Sequence, residues 1–395
     1  MQDDLSMSRQ ACQLQFPLLY SEIQLAREHF AREPITDAAV QASYAAISGG
    51  KARVHVQGHS FAISGFHAGW RQRMYSLLAS LHEAVSNAPD DEPLPAIAMT
   101  LHANDNGAAG VAWPVVLPVQ DRGKAFLAPD FGFHSWHGDV DHGLWTSFRS
   151  SAKQIDDGLT WRAKIPKLFW RGDDFTPARK QLVEQARGRE WSDVESLLWA
   201  EPSRNKAISM PDHCRYAFLA QTEGASYSGR LKYILNCRSV VISHPLHYQQ
   251  HFHSLLNATQ GPEQNIVILP HSFDDLSVTM QTLLADSSRA EAIANQSALV
   301  FRDQYLTPAA TACYWREALR VYATVQAATP RRSWLSVDYA TFVRITSYWH
   351  LGLVCIALLL LSAILLAYKY RLELLPRMRF SNRKRAYDAV KTTAD

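Results

Sequence analysis

The chain has 395 residues, 47% hydrophobic and 19% charged, which is long enough for more than one core because single cores stop growing at roughly 250–300 residues. Forty Lys and Arg against 37 Asp and Glu leave a net charge of +3, a balance that argues against bulk electrostatic binding of nucleic acid. Eleven Trp and 15 Tyr are enough to line a carbohydrate site, although such rings chiefly pack in cores.

In chain order, the opening MQDDLSMSRQACQLQFPLLY lacks the basic and apolar regions of an export signal. ITDAAVQASYAAISGG and GWRQRMYSLLASLHEAVSNAP carry apolar residues at helical spacing, the second closing at Asn87-Ala88-Pro89. PAIAMTLHAND, residues 95–105, reads as an apolar strand entering a polar loop, and KAFLAPDF reads as another strand. KIPKLFWRGDD and CRYAFLAQTEG are strands running into glycine turns, and SVVISH and NIVILPHSFDDL add two more. Helices are predicted between them, at Pro177 to Arg187, Gly229 to Leu235, Phe273 to Leu284 and Ser288 to Gln304. This alternation implies α/β architecture with parallel sheets, in which ligands sit at the carboxyl ends of strands.

LGLVCIALLLLSAILLAY, residues 351–368, is uncharged; as a helix it spans about 27 Å, enough to cross a bilayer. Lys369, Arg371, Arg377, Arg379, Arg383, Lys384 and Arg385 follow it, outnumbering Arg331, Arg332 and Arg344 on the other flank. The tail is therefore expected in the cytosol and the preceding domain in the lumen. A lumenal domain without an export signal implies a start internal to a longer protein, the alternative being a tail-anchored chain with a cytosolic domain. The sequons Asn257-Ala-Thr and Asn295-Gln-Ser favour the lumen. With Cys355 inside the span, Cys12, Cys214, Cys237 and Cys313 contain no CxxC pair; this argues against a zinc ribbon and leaves two bridges or buried thiols.

EGASYSGRLKYILNC, residues 223–237, places two glycines before a basic pair and an apolar run. Read as a turn followed by a helix from Gly229, it presents free backbone N–H groups to an anion such as phosphate. The spacing of Gly224 and Gly229 fits GxxxxGK[ST], but Arg230 replaces the lysine and Leu231 the magnesium-binding hydroxyl, which disfavours a magnesium-dependent NTPase. Arg230 can grip a diphosphate bidentately, with Arg171 in WRGDD and Arg179 in TPARK assisting. Ordinary turn glycines and surface arginines are the plainer alternative.

LFWRGDDFTPAR, MPDHCRYAFLAQTEGASYSGRLKYILNCRSVVI, GPEQNIVILPHSFDDL and CYWREALRVYA together resemble the Rumi and capsule-associated-protein family of protein O-glucosyltransferases and xylosyltransferases (glycosyltransferase family 90), especially its fungal members. The resemblance covers about residues 95 to 322. It implies a GT-B fold, two Rossmann-like domains facing a cleft, and metal-independent inverting transfer from a UDP-sugar. The expected division is an acceptor-side domain at 1–155, a donor domain with a terminal helix at 156–330, a linker at 331–350, the span at 351–368 and the tail at 369–395. Carried over residue by residue, the donor-site positions are Arg171, Gly172, Arg179, Glu223, Gly224, Ser226 and Arg230, and the catalytic aspartate is Asp105. Here Asn104 stands where many relatives carry arginine, and Asn106-Gly107 where they carry a proline; Asn265-Ile266 replaces the His-Tyr of many animal relatives, which bears on sugar specificity. The spacing of Cys214 and Cys237 resembles a disulfide of the animal relatives, with Cys12 to Cys313 as a second pair.

Inverting transfer needs one base for the acceptor proton and positive charge for the departing diphosphate. Asp105 supplies the first, with pKa-raising burial or a neighbouring carboxylate expected around it; Asp130 in APDFGF is the substitute carboxylate. No cofactor or metal is expected, and the partners are the UDP-sugar (UDP-glucose or UDP-xylose), a protein or glycan acceptor and an endoplasmic reticulum or Golgi membrane. Rival readings are Asp139-Val-Asp141 as the manganese-holding DxD of GT-A glycosyltransferases, a metal-dependent hydrolase using His134, His137 and His142 in the same stretch, and a non-catalytic lectin-like membrane protein. His244, His247, His251 and His253 have ligand chemistry too, and Trp136 and Trp145 can stack on a sugar.

Overall fold

The computed structural model describes residues 2–105, 107, 110–136, 142–197, 207–330, 332, 335–347 and 360–366. Helices α1 (Arg9–Gln15), α2 (Ser21–Phe30) and α3 (Asp37–Ala46) open the chain. Ser8 and Thr36 cap α1 and α3 by accepting from the backbone N–H groups of Ala11 and Ala39. A hairpin follows, β1 (Lys51–Gly58) and β2 (Ser60–His67), which reverses at Gly58, whose φ of +60° favours glycine. Helix α4 (Arg71–Ser86) then leads to β3 (Leu94–His102) and β4 (Trp113–Pro114). These strands form a sheet in which β3–β4 is parallel and β1–β2 and β1–β3 are antiparallel. The first sheet is therefore mixed rather than all-parallel as expected, because a tight turn can join only antiparallel neighbours.

KAFLAPDF is not a strand: residues 124–130 run without ladder partners into a 3₁₀ turn at Phe131–Phe133. Its apolar residues are buried nonetheless, and the Tyr314 hydroxyl donates to the Leu127 carbonyl (3.0 Å), satisfying backbone that lacks a strand partner. Two short pairs complete this region. β5 (Leu117–Pro118) pairs with a later segment, and β6 (Ser135–Trp136) pairs with β7 (Gly143–Leu144), after which comes α5 (Trp145–Asp157).

The second sheet meets the parallel expectation. It is built from β8 (Ile165–Gly172), β9 (Ser192–Ser196), β10 (Tyr216–Gln221) and β11 (Val240–Ser243); beyond β12 (Tyr248–Gln249), which is the partner of β5, β13 (Val267–Ile268) completes the order β13-β11-β10-β8-β9, every pairing parallel. Helices α6 (Pro177–Ala186), α8 (Leu276–Ala285) and α9 (Ser287–Ser297) cover it, with Leu182, Met280 and Ile293 joining Leu168, Trp170, Phe218 and Ile242 in one core. The helix predicted from Gly229 shrinks to a single turn, α7 (Leu231–Ile234). Helix α10 (Pro308–Val325) returns to the first sheet, stacking Trp315 on Trp113 at 6.0 Å and donating from the Tyr322 hydroxyl to Ala98. Strand β14 (Val337–Asp338) pairs with β2 at the edge of that sheet.

Both implied disulfides are present: Cys12–Cys313 ties α1 to α10, and Cys214–Cys237 joins the turn before β10 to the segment before β11, enclosing β10 and the loop that follows it. Residues 1–338 form one compact unit and 339–395 a second, in which 339–347 and 360–366 are helical. Most of the expected span at 351–368 lies outside the described residues. Among those described, no helix is long and apolar enough to cross a membrane, so the expected transmembrane helix gains no support from the structure.

Candidate active site

Parallel strands deliver their following loops to one edge of the sheet, and the loops after β8 and β10 meet there. They line a cavity of about 760 Å³, within the range of roughly 300–1,000 Å³ usual for ligand sites. The lining includes Gly172, Arg179 and Arg230 from the second half of the chain and Trp70, Arg73 and Asp105 from the first.

The cationic wall is built on Trp170, a buried ring with Arg230 at 5.5 Å and Arg179 at 6.0 Å from its centroid. Arg179 is fixed by donating to the Asp173 carbonyl (2.9 Å), the Glu223 carbonyl (3.1 Å) and Thr222 Oγ1 (3.2 Å). Arg230 donates to the Arg171 carbonyl at 2.5 Å. Burial first, then the neighbouring Arg179 cation, lower the Arg230 pKa to about 9. It is still protonated at neutral pH, and no carboxylate pairs with it among the described residues. Burial likewise lowers Arg179, with Asp173 acting in opposition. Gly172 and Gly229 allow this close packing: a Cβ at Gly172 would stand 2.8 Å from the Trp170 ring, and one at Gly229 would stand 2.6 Å from Trp136.

Arg171 does not join the wall. Side chains alternate along a strand, so Trp170 faces the core while Arg171 turns to the opposite face, pairing with Asp193 at 2.5 Å and stacking on Phe169. Only its carbonyl serves the site, by holding Arg230. Glu223 is buried and accepts from the backbone N–H groups of His247 (3.0 Å) and Tyr248 (2.9 Å), so it fixes the loop after β11. Gly224 donates its N–H to the Ser226 carbonyl (2.9 Å) and shapes the turn beside Arg179. Because α7 has four residues, cationic side chains rather than a long helix supply the positive charge.

On the other side, Asp105 pairs with Arg73 at 3.3 Å and its side chain is 47% exposed. Half exposed, it lacks the expected burial, and the charged group paired with it among the described residues is a cation. Arg73 is itself sandwiched, 4.4 Å from the Trp70 centroid and 5.0 Å from that of Phe131. Asp130 is fully buried, accepting from Gly132 N–H (2.7 Å) and the Tyr227 hydroxyl, and pairing with Lys232 at 2.7 Å. Burial, reinforced by Asp130, holds the Tyr227 hydroxyl well above its ordinary pKa; burial lowers that of Lys232 against the pull of Asp130. This network joins the two halves of the chain beneath the cavity wall formed by Tyr227.

Of the rival metal sets, 137–141 lie outside the described residues. His134 is engaged by Ser135 (3.0 Å) and Glu83 (3.5 Å), while His142 lines the cavity. Glu223, His244 and His247 bring possible ligand atoms within 4.8 Å of one another. Both His244 ring nitrogens, however, already bond backbone groups, the N–H of Glu223 and the carbonyl of Pro245. His251 and His253 are held at about 3 by burial. Trp136 lines the cavity and Trp145 is core. Asn265 is buried, pinning Leu255 and Asn257 rather than lining the cavity. Sequence reasoning missed Arg73, Trp70 and Lys232, since nothing in the spacing links residues 73 and 105, or 130 and 232.

A carboxylate and two guanidinium groups, Arg230 without a carboxylate partner among the described residues, thus line one cavity at the carboxyl edge of a parallel sheet in an α/β protein. The Glycosyl transferase family 90 profile matches residues 103–341, more than half of the chain, which therefore belongs to that family. It is similar to an O-glucosyltransferase rumi homolog of Anopheles gambiae (27% identity over 194 residues, 46% of each chain) and to human Protein O-glucosyltransferase 1 (22% over 193 residues, 46% of this chain and 47% of that one). Human Protein O-glucosyltransferase 3 matches at 23% over 210 residues, 49% of this chain and 39% of that one. The chain spans about half the length of the curated relatives it matches.

Proposed function

We propose that the cavity is a UDP-sugar transfer site of GT-B type, in which glucose or xylose moves with inversion to a hydroxyl of a protein or glycan acceptor, without a metal. The observation that carries this reading is the Arg179–Arg230 pair, two half-buried cations packed on the Trp170 ring and lining the same cavity as Asp105. The names of the relatives, O-glucosyltransferases, support the sugar. Residues 1–155 serve as the acceptor side and 156–330 as the donor side, with Gly172, Arg179, Gly224, Ser226 and Arg230 around the diphosphate, and Arg171 and Glu223 supporting them.

In the proposed reaction the acceptor oxygen attacks the anomeric carbon from the face opposite the diphosphate. The C1–O bond to phosphate breaks, its electron pair leaves with UDP, and Asp105 takes the acceptor proton. The hydroxyl becomes more acidic as the new bond forms, so an exposed carboxylate can act at that moment. Arg230 and Arg179 line the cavity and are fixed by bonds to backbone carbonyls, so they can meet the charge that develops on the leaving group with limited reorganisation. The hydrolase reading is not favoured, because His134 is committed to Ser135 and Glu83.

The test is transfer from UDP-glucose and UDP-xylose by the wild type and Asp105→Asn. The variant should lose about a hundredfold or more in turnover, the order expected of a general base. Normal turnover would remove Asp105 from this role. The two disulfides suit the oxidising secretory pathway, and residues 351–368 are proposed as the membrane anchor with the domain lumenal. Protease treatment of intact vesicles should then spare residues 1–338; digestion of that region would place it in the cytosol.

A further inference from the structure

Eight tryptophans fall among the described residues, and six of them, at 113, 145, 161, 170, 191 and 315, are buried. The other two, Trp70 and Trp136, both line the cavity. Their circumstances differ. Trp136 is engaged by the donor loop, packing over Gly229 and beneath Lys232, whose Nζ lies 5.3 Å from its ring. Trp70 is 56% exposed and stands on the Asp105 side, with Arg73 against its ring.

Trp70 also has φ +54° and ψ 44°, the left-handed conformation, at the N-cap of α4 without a side-chain capping bond. Such a backbone is unfavourable for a bulky residue, and local strain of this kind concentrates where a side chain must be aimed. Hydrophobic collapse does not explain it, since the ring is left in solvent. Arg73 links the ring to Asp105, touching the indole and pairing with the carboxylate.

We infer that Trp70 is the acceptor platform and that the acceptor is a saccharide: one pyranose ring lays its C–H face on the indole and turns a hydroxyl to Asp105. Arg71 and Gln72, which follow Trp70 and line the same cavity, supply hydrogen-bonding groups for the remaining hydroxyls. An apolar ring face beside convergent polar groups matches a pyranose, which has both characters. This inference rests on the transfer reading above.

The experiment compares wild type, Trp70→Phe and Trp70→Ala, with methyl glucoside, methyl mannoside, methyl galactoside and a serine-containing peptide as acceptors. UDP affinity is measured by calorimetry on each variant. Wild type should transfer to at least one pyranoside, and Trp70→Ala should raise the acceptor KM roughly tenfold while Trp70→Phe retains most of the affinity. UDP affinity should stay within about twofold. Transfer to the peptide alone, or an unchanged acceptor KM in Trp70→Ala, would overturn the inference while leaving the transfer reading standing. A tenfold loss of UDP affinity would also overturn it, by assigning Trp70 to the donor's base. A wild type that turns over no UDP-sugar, even with water as acceptor, would remove the transfer reading and the inference with it.

Discussion

Replacing Lys232 by Met tests the link between the two halves of the chain. Lys232 and Asp130 are both fully buried and stand 2.7 Å apart, and Lys232 also donates to the Gly229 carbonyl (2.8 Å). Methionine keeps the length and apolar stem but leaves the Asp130 carboxylate with Gly132 N–H and the Tyr227 hydroxyl alone. Breaking one side of a buried pair destabilises by about 3–5 kcal/mol. Removing both charges, in Asp130→Leu/Lys232→Met, leaves the Tyr227 hydroxyl and Gly132 N–H without their acceptor, about 1–3 kcal/mol for each such group. The double variant should therefore lose less than the sum of the single variants, with a coupling of at least 1 kcal/mol in the cycle. Urea unfolding followed by tryptophan fluorescence measures all three. A Lys232→Met protein within 1 kcal/mol of wild type would refute the reasoning, because an unpaired buried carboxylate cannot be that inexpensive.

Further outcomes follow from the same structure. His251 is 1% exposed and burial holds it at about 3, so the unfolded chain binds its proton first as pH falls below about 6.5. Stability should drop by roughly 1.4 kcal/mol per pH unit from this group between pH 6.5 and 3, and His251→Phe should flatten that slope; an unchanged slope would contradict the assignment. The Cys214–Cys237 bridge closes a separation of 23 residues, and Cys214→Ala should lower stability by about 3 kcal/mol on the chain-entropy model, measured by thermal unfolding under non-reducing conditions. Arg73→Leu should lower turnover more than UDP affinity, because it removes the partner that orients Asp105; equal losses in the two, from kinetics and calorimetry, would assign Arg73 to donor binding.

The parallel sheet was legible because β10 and β11 are buried along almost their whole length and carry the apolar runs Ala217–Ala220 and Val240–Ile242. The hairpin at 51–67 escaped notice, since ARVHVQGHSFA mixes His, Gln and Arg into strands that are only partly buried. KAFLAPDF misled in the opposite sense: burial without a ladder leaves the same apolar pattern as a strand. Of the three arginines expected together from the sequence, Arg230 and Arg179 line the cavity while Arg171 pairs with Asp193, because a motif does not say which face of a strand a side chain takes. Arg73, packed on Trp70 and Phe131 and paired with Asp105, joins residues from α4, a 3₁₀ turn and the loop after β3, so only the fold assembles this set.

Calorimetric titration of UDP into wild type, Arg230→Ala and Arg179→Ala addresses the central claim most directly. Arg230 is held by one carbonyl and lies near a second cation, so removing it should weaken UDP binding by about 1.5–3 kcal/mol, the range for a hydrogen bond to a charged group, or roughly 10- to 150-fold in Kd. Arg179→Ala should weaken it in the same direction, without EDTA affecting any of the three proteins. UDP bound equally well by wild type and Arg230→Ala would contradict the account, as would a wild type that does not bind UDP at all.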